Sequence, residues 1–269
     1  LLAGQIGFGI YSINHIEDLV EQAPKSIKVG LAQTNMGIYE KRKDPAKGVR
    51  RHLRMSLELE ERGADLIIWP ESGYQYPIPA RAKNVKKAVL SDLETPLLFG
   101  GLRLDQSQAK RTIYNTAFLT NAQGDIEGTY DKVYLLAFGE YIPFGDTFPW
   151  LYTLSPHTSR FSQGTHTRPL ELDGTKFGIL ICYEDILPGF VREVMAHRPH
   201  VLVNLTNDAW FGDTHEPIIH LALTTFRAIE HRRYIVRSTN TGISALIDPL
   251  GRIIAQTATF EEATLLEEI

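Results

Sequence analysis

Short apolar runs bounded by polar or turn residues recur along most of the chain, and their length is that of buried strands. Two glycine-containing turns, Ala122-Gln123-Gly124 and Asp173-Gly174, predict hairpins between neighbouring runs. The predicted strands lie at residues 28–33, 66–69, 96–102, 113–120, 125–131, 176–181, 200–205, 234–239, 243–248, 252–257 and 264–269.

Apolar residues spaced three or four positions apart predict helices between several of these strands. The first helix ends at Gly63 and carries a stripe of three apolar residues, Val49, Leu53 and Leu57. Residues 80–93 predict a basic, exposed helix, and residues 187–197 predict a helix directly after a buried strand. The pattern at residues 215–232 predicts a helix whose buried face consists of Ile219, Leu223, Phe226 and Ile229.

Strands that alternate with helices, followed by late hairpins, indicate an α/β fold. The chain of 269 residues is long enough to bury a large core, and no shift in composition divides it. The pattern alone therefore predicts one α/β domain.

Composition and charge argue against several classes of function. The formal net charge of −4 gives no basic footprint, so a nucleic-acid partner is not expected. A single cysteine rules out an internal disulfide and a four-cysteine zinc site. The spacing of His215, His220 and His231 matches no recognised ligand set, and the sequence has no glycine-rich phosphate loop, so we predict neither a metal nor a cofactor.

Two segments stand apart from the alternation of strands and helices. Residues 1–13 are mostly apolar but too short to span a bilayer, which needs about 20 apolar residues. By themselves they indicate a packed strand or helix, and the polar residues 14–26 indicate a linker. Residues 133–168 form a long loop rich in aromatic residues, proline and glycine, and such loops are usually functional.

Candidate catalytic residues follow three of the predicted strands. Cys182 lies where a buried strand gives way to charged residues, although free cysteines are also commonly buried for packing alone. Glu71 comes directly after a strand that Pro70 ends, where open α/β sheets place their sites. Lys132 and Glu140 flank the start of the long loop, and either charge alone is typical of a solvated surface. Glu71, Lys132 and Cys182 in combination suggest a base, a cation and a nucleophile.

These residues and the segments around them resemble the carbon–nitrogen hydrolase (nitrilase) superfamily and, within it, the apolipoprotein N-acyltransferases. The resemblance covers residues 27–269. Its motifs are Trp69-Pro70-Glu71-Ser72, Phe138-Gly139-Glu140-Tyr141-Ile142-Pro143, Cys182-Tyr183-Glu184, Asn204-Leu205-Thr206-Asn207-Asp208-Ala209-Trp210-Phe211-Gly212, Arg227-Ala228-Ile229-Glu230 and Arg237-Ser238-Thr239-Asn240-Thr241-Gly242-Ile243-Ser244. Soluble amidases and nitrilases usually differ after the lysine and around the Asn-Asp-Ala-Trp-Phe-Gly segment.

The resemblance implies a four-layer α-β-β-α sandwich and catalysis by Glu71, Lys132 and Cys182 without a cofactor. It also implies an enzyme of the bacterial inner membrane whose catalytic domain lies on the periplasmic side. The chain would then be a fragment of a larger membrane protein. Residues 1–26 would be the end of a membrane segment and a linker, and residues 27–269 the catalytic domain.

The reaction implied by the resemblance moves a fatty acyl chain from a phospholipid, through a thioester on Cys182, to the α-amino group of an apolipoprotein's N-terminal diacylglyceryl-cysteine. Residues expected to support the site are Glu140, Tyr183 and Glu184. Residues expected to line a substrate pocket, with ordinary packing as the alternative, are Trp210, Phe211 and Tyr141. Two other functions stay open: a soluble amidase acting on a small amide, and a binding domain without catalysis.

Overall fold

The computed structural model describes residues 2–37, 40, 43–107 and 111–269. These residues form five α-helices and thirteen β-strands. The helices are α1 (Leu2–Glu21), α2 (Pro45–Glu61), α3 (Leu151–Leu154), α4 (Pro188–Met195) and α5 (Glu216–His231). Short 3-10 helices cover Cys182–Ile186 and Asp208–Trp210.

The strands form two sheets, each with three parallel strands at its centre. The order in the first sheet is β13 (Ala263–Glu268), β1 (Lys28–Gln33), β2 (Leu66–Trp69), β4 (Leu97–Asp105), β5 (Thr112–Thr120) and β6 (Ile126–Asp131), with β3 (Ile78–Pro79) beside β4. The order in the second sheet is β12 (Ile253–Gln256), β11 (Ala245–Ile247), β10 (Tyr234–Ser238), β9 (Val201–Leu205), β8 (Thr175–Ile181) and β7 (Leu170–Leu172). Every predicted strand is present, and β3 and β7 are additional.

The two sheets pack face to face, and helices cover their outer faces. In β2, Leu66 and Ile68 belong to the core between the sheets, whereas Ile67 and Trp69 pack in a second cluster with Met55 of α2. This alternation follows from the two-residue period of a strand that is buried on both faces. Helices α4 and α5 cover the other sheet. The predicted four-layer α-β-β-α arrangement is therefore confirmed.

The prediction of an exposed helix at residues 80–93 is wrong. The segment contains one short π-helical turn, Lys86–Leu90, and the side chains of Val85 and Val89 are buried. The basic residues suggested a solvated face, but the valines between them pack against the first sheet.

Helix α5 occupies the predicted residues but turns its other face to the core. The four residues predicted to be buried are at least 36% exposed: Ile219, Leu223, Phe226 and Ile229. The buried face instead carries polar residues, including His220, Thr224 and Arg227. His220 and Thr224 can be buried because Asp185, beneath the helix, accepts their hydrogen bonds, which compensates for their desolvation. Arg227 instead pairs with Glu230 of the same helix.

Helix α1 extends through most of the segment predicted as a linker, and Ile16 is its one buried side chain among residues 2–21. Leu1 lies outside the described residues. None of the helices in the described part of the chain combines the length and apolarity needed to cross a bilayer.

Candidate active site

Glu71 lies just beyond the carboxyl end of β2, and its side chain is almost fully buried. The loop that carries it packs directly on β4. A Cβ atom added to Gly100 would lie 2.6 Å from the carbonyl oxygen of Pro70 and 2.7 Å from Cα of Glu71. Glycine at position 100 therefore permits the close approach that fixes the position of Glu71.

Lys132 follows β6 and lies between two carboxylates. Its Nζ is 2.8 Å from Oε2 of Glu140 and 3.7 Å from Oε1 of Glu71, and its side chain is 1% exposed. Asn115 of β5 donates hydrogen bonds to both carboxylates, at 2.7 Å to Glu71 and 2.8 Å to Glu140. Glu140 and Lys132 therefore form an ion pair, and Asn115 completes a four-residue cluster with Glu71.

Cys182 follows β8 and begins the 3-10 turn Cys182–Ile186. Its backbone φ of 54° lies in the left-handed region, and its thiol is buried. Helix α4 begins at Pro188, so this turn separates Cys182 from the N-terminal amides of that helix.

Burial and the charges of Glu71 and Lys132 shift the pKa of the Cys182 thiol. Burial raises the pKa of Cys182, the negative charge of Glu71 raises it further, and Lys132 opposes both. Burial also raises the pKa of Glu71, although Lys132 lowers it. A carboxylate with a raised pKa is a stronger base, so Glu71 is suited to accept the thiol proton.

Lys132 keeps its charge in this buried position. Burial by itself lowers the pKa of Lys132, but its electrostatic interactions with Cys182, Glu71 and Glu140 outweigh burial and raise the pKa. A fixed cation beside a nucleophile can stabilise an oxyanion that forms there.

Glu184 ties the turn to the opposite sheet. Its carboxylate accepts hydrogen bonds from the Tyr130 hydroxyl and from the backbone N–H groups of Ile181, Val133 and Tyr134. Burial raises its pKa to about 7, whereas these hydrogen bonds lower it. Because Val133 and Tyr134 directly follow Lys132, Glu184 sets the position of the turn relative to that lysine.

The three predicted pocket residues have different surroundings. Tyr141 lines a cavity of about 1030 Å³ that the long loop forms with the start of β5. Phe211 contacts the edge of the Tyr183 ring, with a centroid distance of 6.0 Å. Trp210 is 62% exposed. The structure therefore does not gather them into one pocket.

Sequence reasoning missed Asn115, Gly100 and Asp185 of the site, and it assigned no role to Arg237, which begins one of the family-like motifs. Asn115 left a usable signal, because it is a polar residue within a predicted apolar strand, and such a residue needs a buried partner. Asp185 and Arg237 are both fully buried and form an ion pair of 3.2 Å. No local sequence pattern predicts that contact.

The close packing around Glu71 gives a first prediction. Gly100→Ala should lower stability by about 1–3 kcal/mol, because the added methyl group overlaps backbone atoms that cannot move without displacing Glu71. Urea unfolding measures the loss, and the catalytic rate of the remaining folded protein should fall as well.

Gly189→Ala is the matched control, because a Cβ added at Gly189 meets no atom within 4 Å. This variant should be neutral or slightly stabilising, since alanine is favoured over glycine in a helix. Equal stability of the two variants would contradict the proposed role of Gly100.

Comparison with known proteins places the chain in a family. The carbon-nitrogen hydrolase profile matches residues 28–269. An apolipoprotein N-acyltransferase of Geobacter metallireducens is 36% identical over 209 residues, which cover 77% of this chain and 40% of that protein. The apolipoprotein N-acyltransferase of Agrobacterium fabrum is 35% identical over 269 residues, which cover 95% of this chain and 50% of that protein.

The fold has solved counterparts. Saccharomyces cerevisiae Nit3, a member of branch 10 of the nitrilase superfamily, superposes with a TM-score of 0.69 at 18% identity, over 91% of this chain and 90% of that chain. An amidase from Nesterenkonia gives a TM-score of 0.63 at 20% identity, over 90% of each chain.

The curated relatives are longer than the described protein, which spans between 40% and 50% of the two named here. The family match nevertheless covers nearly the whole chain, and the motifs around Glu71, Lys132 and Cys182 lie inside it. This chain belongs to the carbon–nitrogen hydrolase family.

Proposed function

We propose that the chain is the catalytic part of an apolipoprotein N-acyltransferase. It would move a fatty acyl chain from a phospholipid to the α-amino group of an apolipoprotein's N-terminal diacylglyceryl-cysteine. The observation that carries the proposal is the buried cluster of Glu71, Lys132 and Glu140, in which the charges of Glu71 and Lys132 act on Cys182. The relatives that share the name apolipoprotein N-acyltransferase support the choice of reaction.

The first half of the reaction forms a thioester. Glu71 takes the proton of the Cys182 thiol, and the thiolate attacks the ester carbonyl carbon of the phospholipid. Lys132 and the backbone N–H of Tyr183 stabilise the oxyanion of the tetrahedral intermediate. The C–O bond then breaks, Glu71 gives its proton to the departing alkoxide, and a lysophospholipid leaves.

In the second half of the reaction, the acceptor amine is the nucleophile and the Cys182 thiolate is the leaving group. The acceptor amine attacks the thioester carbonyl, and Glu71 takes a proton from the nitrogen. The C–S bond breaks to give an amide, and the thiolate regains its proton from Glu71. Glu140 holds Lys132 by an ion pair, and Asn115 donates hydrogen bonds to Glu71 and Glu140, so these contacts keep Lys132 and Glu71 in place through both halves.

Enclosure favours transfer to an amine over hydrolysis. Glu71 and Cys182 are each 8% exposed as whole residues, so little water reaches the site. A thioester in such a place survives until a second substrate displaces the enclosing groups.

Exposed apolar side chains suggest where the lipid approaches. The loop that follows Lys132 carries seven that are at least 41% exposed: Tyr134, Leu136, Phe138, Phe144, Phe148, Trp150 and Leu154. Aromatic side chains of this kind are favoured where a protein meets lipid headgroups. We propose that this loop contacts the periplasmic surface of the bacterial inner membrane.

The N-terminal helix fits the same arrangement. Helix α1 exposes Leu2, Ile6, Phe8, Ile10, Tyr11, Ile13, Leu19 and Val20. An ion pair of 2.7 Å between Arg252 and Glu17 joins its last turns to the rest of the chain. We propose residues 1–26 as the end of a membrane segment with its linker, and residues 27–269 as the catalytic domain.

The membrane contact gives a second prediction. Replacing both Phe144 and Trp150 with Ser should weaken binding to vesicles of phosphatidylethanolamine and phosphatidylglycerol by at least about tenfold, because two inserted aromatic rings are lost. Flotation with vesicles measures the binding. Ile254→Ser is the control, since Ile254 is also exposed but lies on the edge strand β12. Unchanged binding in the double variant would contradict the placement of the loop.

Intact-mass analysis tests the function itself. The purified chain is incubated with phospholipid in detergent and, separately, with a panel of small amides. A fatty-acyl adduct on Cys182 that hydroxylamine removes is expected from phospholipid. An adduct from the amides alone would favour a soluble amidase, and no adduct from either would favour a binding domain without catalysis.

A further inference from the structure

The turn that carries Cys182 needs support from its surroundings. A φ of 54° is unfavourable for a residue that has a Cβ atom, and such a conformation persists where surrounding contacts fix it. Glu184 fixes one side of the turn by four hydrogen bonds. Asp185, the next residue, fixes the other side.

Asp185 is fully buried and accepts hydrogen bonds from three side chains. Its Oδ1 lies 2.9 Å from Nε2 of His220, and its Oδ2 accepts from the Thr224 hydroxyl and from Nη1 of Arg237. Both His220 and Thr224 come from α5. The polar face of α5 therefore anchors the nucleophile turn.

His220 also reaches a second acid, Asp208. Its Nδ1 lies 3.4 Å from Oδ1 of Asp208, and the same oxygen accepts a hydrogen bond from Thr206. Burial raises the pKa of the Cys182 thiol, and Thr206 lowers it. The His220 ring stacks on that of Tyr183, with a centroid distance of 5.3 Å and an interplanar angle of 11°. His220 thus contacts the turn at Asp185 and Tyr183 and also lies beside Asp208.

Both ring nitrogens of His220 face carboxylates. Beyond Asp208, Nδ1 also faces Oε1 of Glu216 at 3.6 Å, yet it makes no well-formed hydrogen bond. A neutral imidazole carries one N–H, so its second nitrogen would direct a lone pair at these oxygens. The ring is 3% exposed, which leaves little room for water to relieve that repulsion. An imidazolium has two donors and removes it.

We infer that His220 is a protonated positioning residue that holds the Cys182 turn between Asp185 and Asp208. The inference rests on the nucleophile role proposed above for Cys182. His220 acts through the turn and through Asp208, and it has no direct part in acyl transfer.

Charged groups face His220 from every element packed against it: Asp185 from the turn, Asp208 after β9, Glu216 from α5 and Arg237 from β10. Burial lowers the pKa of His220, as does Arg237, but the two aspartates outweigh them and raise the pKa above 6.5. For a raised pKa, the stability contributed by this proton is fully present below pH 6.5. It is lost as the pH rises through the folded-state pKa.

Ring ¹⁵N chemical shifts test the protonation state without any need for activity. The chain has nine histidines, and the His220 signals are those that disappear in His220→Gln. At neutral pH, both nitrogens of the wild-type ring are expected to be protonated. A neutral ring would overturn the inference.

A divalent metal is the competing cation for the same position. The facing atoms of Asp208, Glu216 and His220 lie within 4.8 Å of one another, a spacing that can hold a metal ion. Adding Zn²⁺ alone to the NMR sample distinguishes a metal ion at this position from a proton on His220. Unchanged His220 signals are expected, and a stoichiometric shift would overturn the proton assignment.

His220→Gln tests the positioning role, because glutamine keeps a donor for Asp185 but carries no charge. Amide hydrogen exchange at residues 181–186 is expected to accelerate. Acylation of Cys182 by a p-nitrophenyl fatty ester should fall about 10- to 100-fold, in kcat more than in KM. In the wild type, acylation should fall at alkaline pH over the same range in which the His220 NMR signals titrate. The variant should lack this pH dependence.

His215→Gln is the matched control, since His215 is exposed at the start of the same helix. It should leave both exchange and acylation unchanged. Unchanged exchange in His220→Gln, or equal effects of the two substitutions, would overturn the inference. If the wild-type chain forms no acyl-enzyme at all, the proposed function fails, while the NMR and exchange results still decide the role of His220.

Discussion

Cys182→Ser is expected to abolish acyl-enzyme formation and to leave the fold unchanged. A serine hydroxyl is a far weaker nucleophile than a thiolate unless a strong base activates it. The expected loss of turnover is about 10³-fold or more, as for other nucleophiles removed from a catalytic set. Intact mass after incubation with phospholipid shows the missing adduct directly, because the chain contains no second cysteine that could carry it.

Thermal unfolding provides the control for Cys182→Ser. The two side chains differ by one atom, and Glu184 and Asp185 hold the turn independently of the thiol. The melting temperature should therefore stay close to that of the wild type. Turnover that persists in a folded Cys182→Ser variant would eliminate the thioester mechanism.

Lys132→Met is expected to lower both stability and activity. It removes the cation between Glu71 and Glu140 and leaves two buried carboxylates without their counter-charge. Breaking a buried ion pair in this way typically costs about 3–5 kcal/mol, and the oxyanion also loses its stabilising charge. Urea unfolding and the burst of acylation measure the two losses separately.

A second substitution separates the structural role of Lys132 from its catalytic role. Lys132→Met combined with Glu140→Gln removes the excess negative charge, so stability should return in part while acylation stays absent. Lys47→Met is the surface control, because the ion pair of Lys47 with Glu40 is largely solvated and should contribute less than about 1 kcal/mol. Recovery of acylation in the double variant would show that Lys132 is structural only.

The strands were predictable because their signal is local. In β2, an unbroken apolar run predicted a strand buried on both faces, and the structure sorts its residues alternately into two core clusters. The hairpin turn at Asp173-Gly174 was equally local, because both residues adopt positive φ. These features depend on neighbours in sequence, so a single sequence contains them.

The inward face of α5 was not predictable in this way. Its apolar stripe of Ile219, Leu223 and Phe226 is exposed, whereas His220 and Thr224 are buried. Burial of these polar groups is favourable only because Asp185, far away in sequence, accepts their hydrogen bonds. The helical period showed where the helix lies, and partners on other elements decided which side of it faces the core.

The strands, the α/β class and the candidate residues Glu71, Lys132 and Cys182 were predictable from the sequence, because each follows from a strand or from a short pattern at its end. Three further features are visible only in the folded chain: Asn115 joins Glu71 to Glu140, Gly100 lets the Glu71 loop approach β4, and α5 supports the Cys182 turn. Hydrogen bonds and close packing join residues that are near in space but far apart in sequence, so no local sequence pattern predicts these contacts.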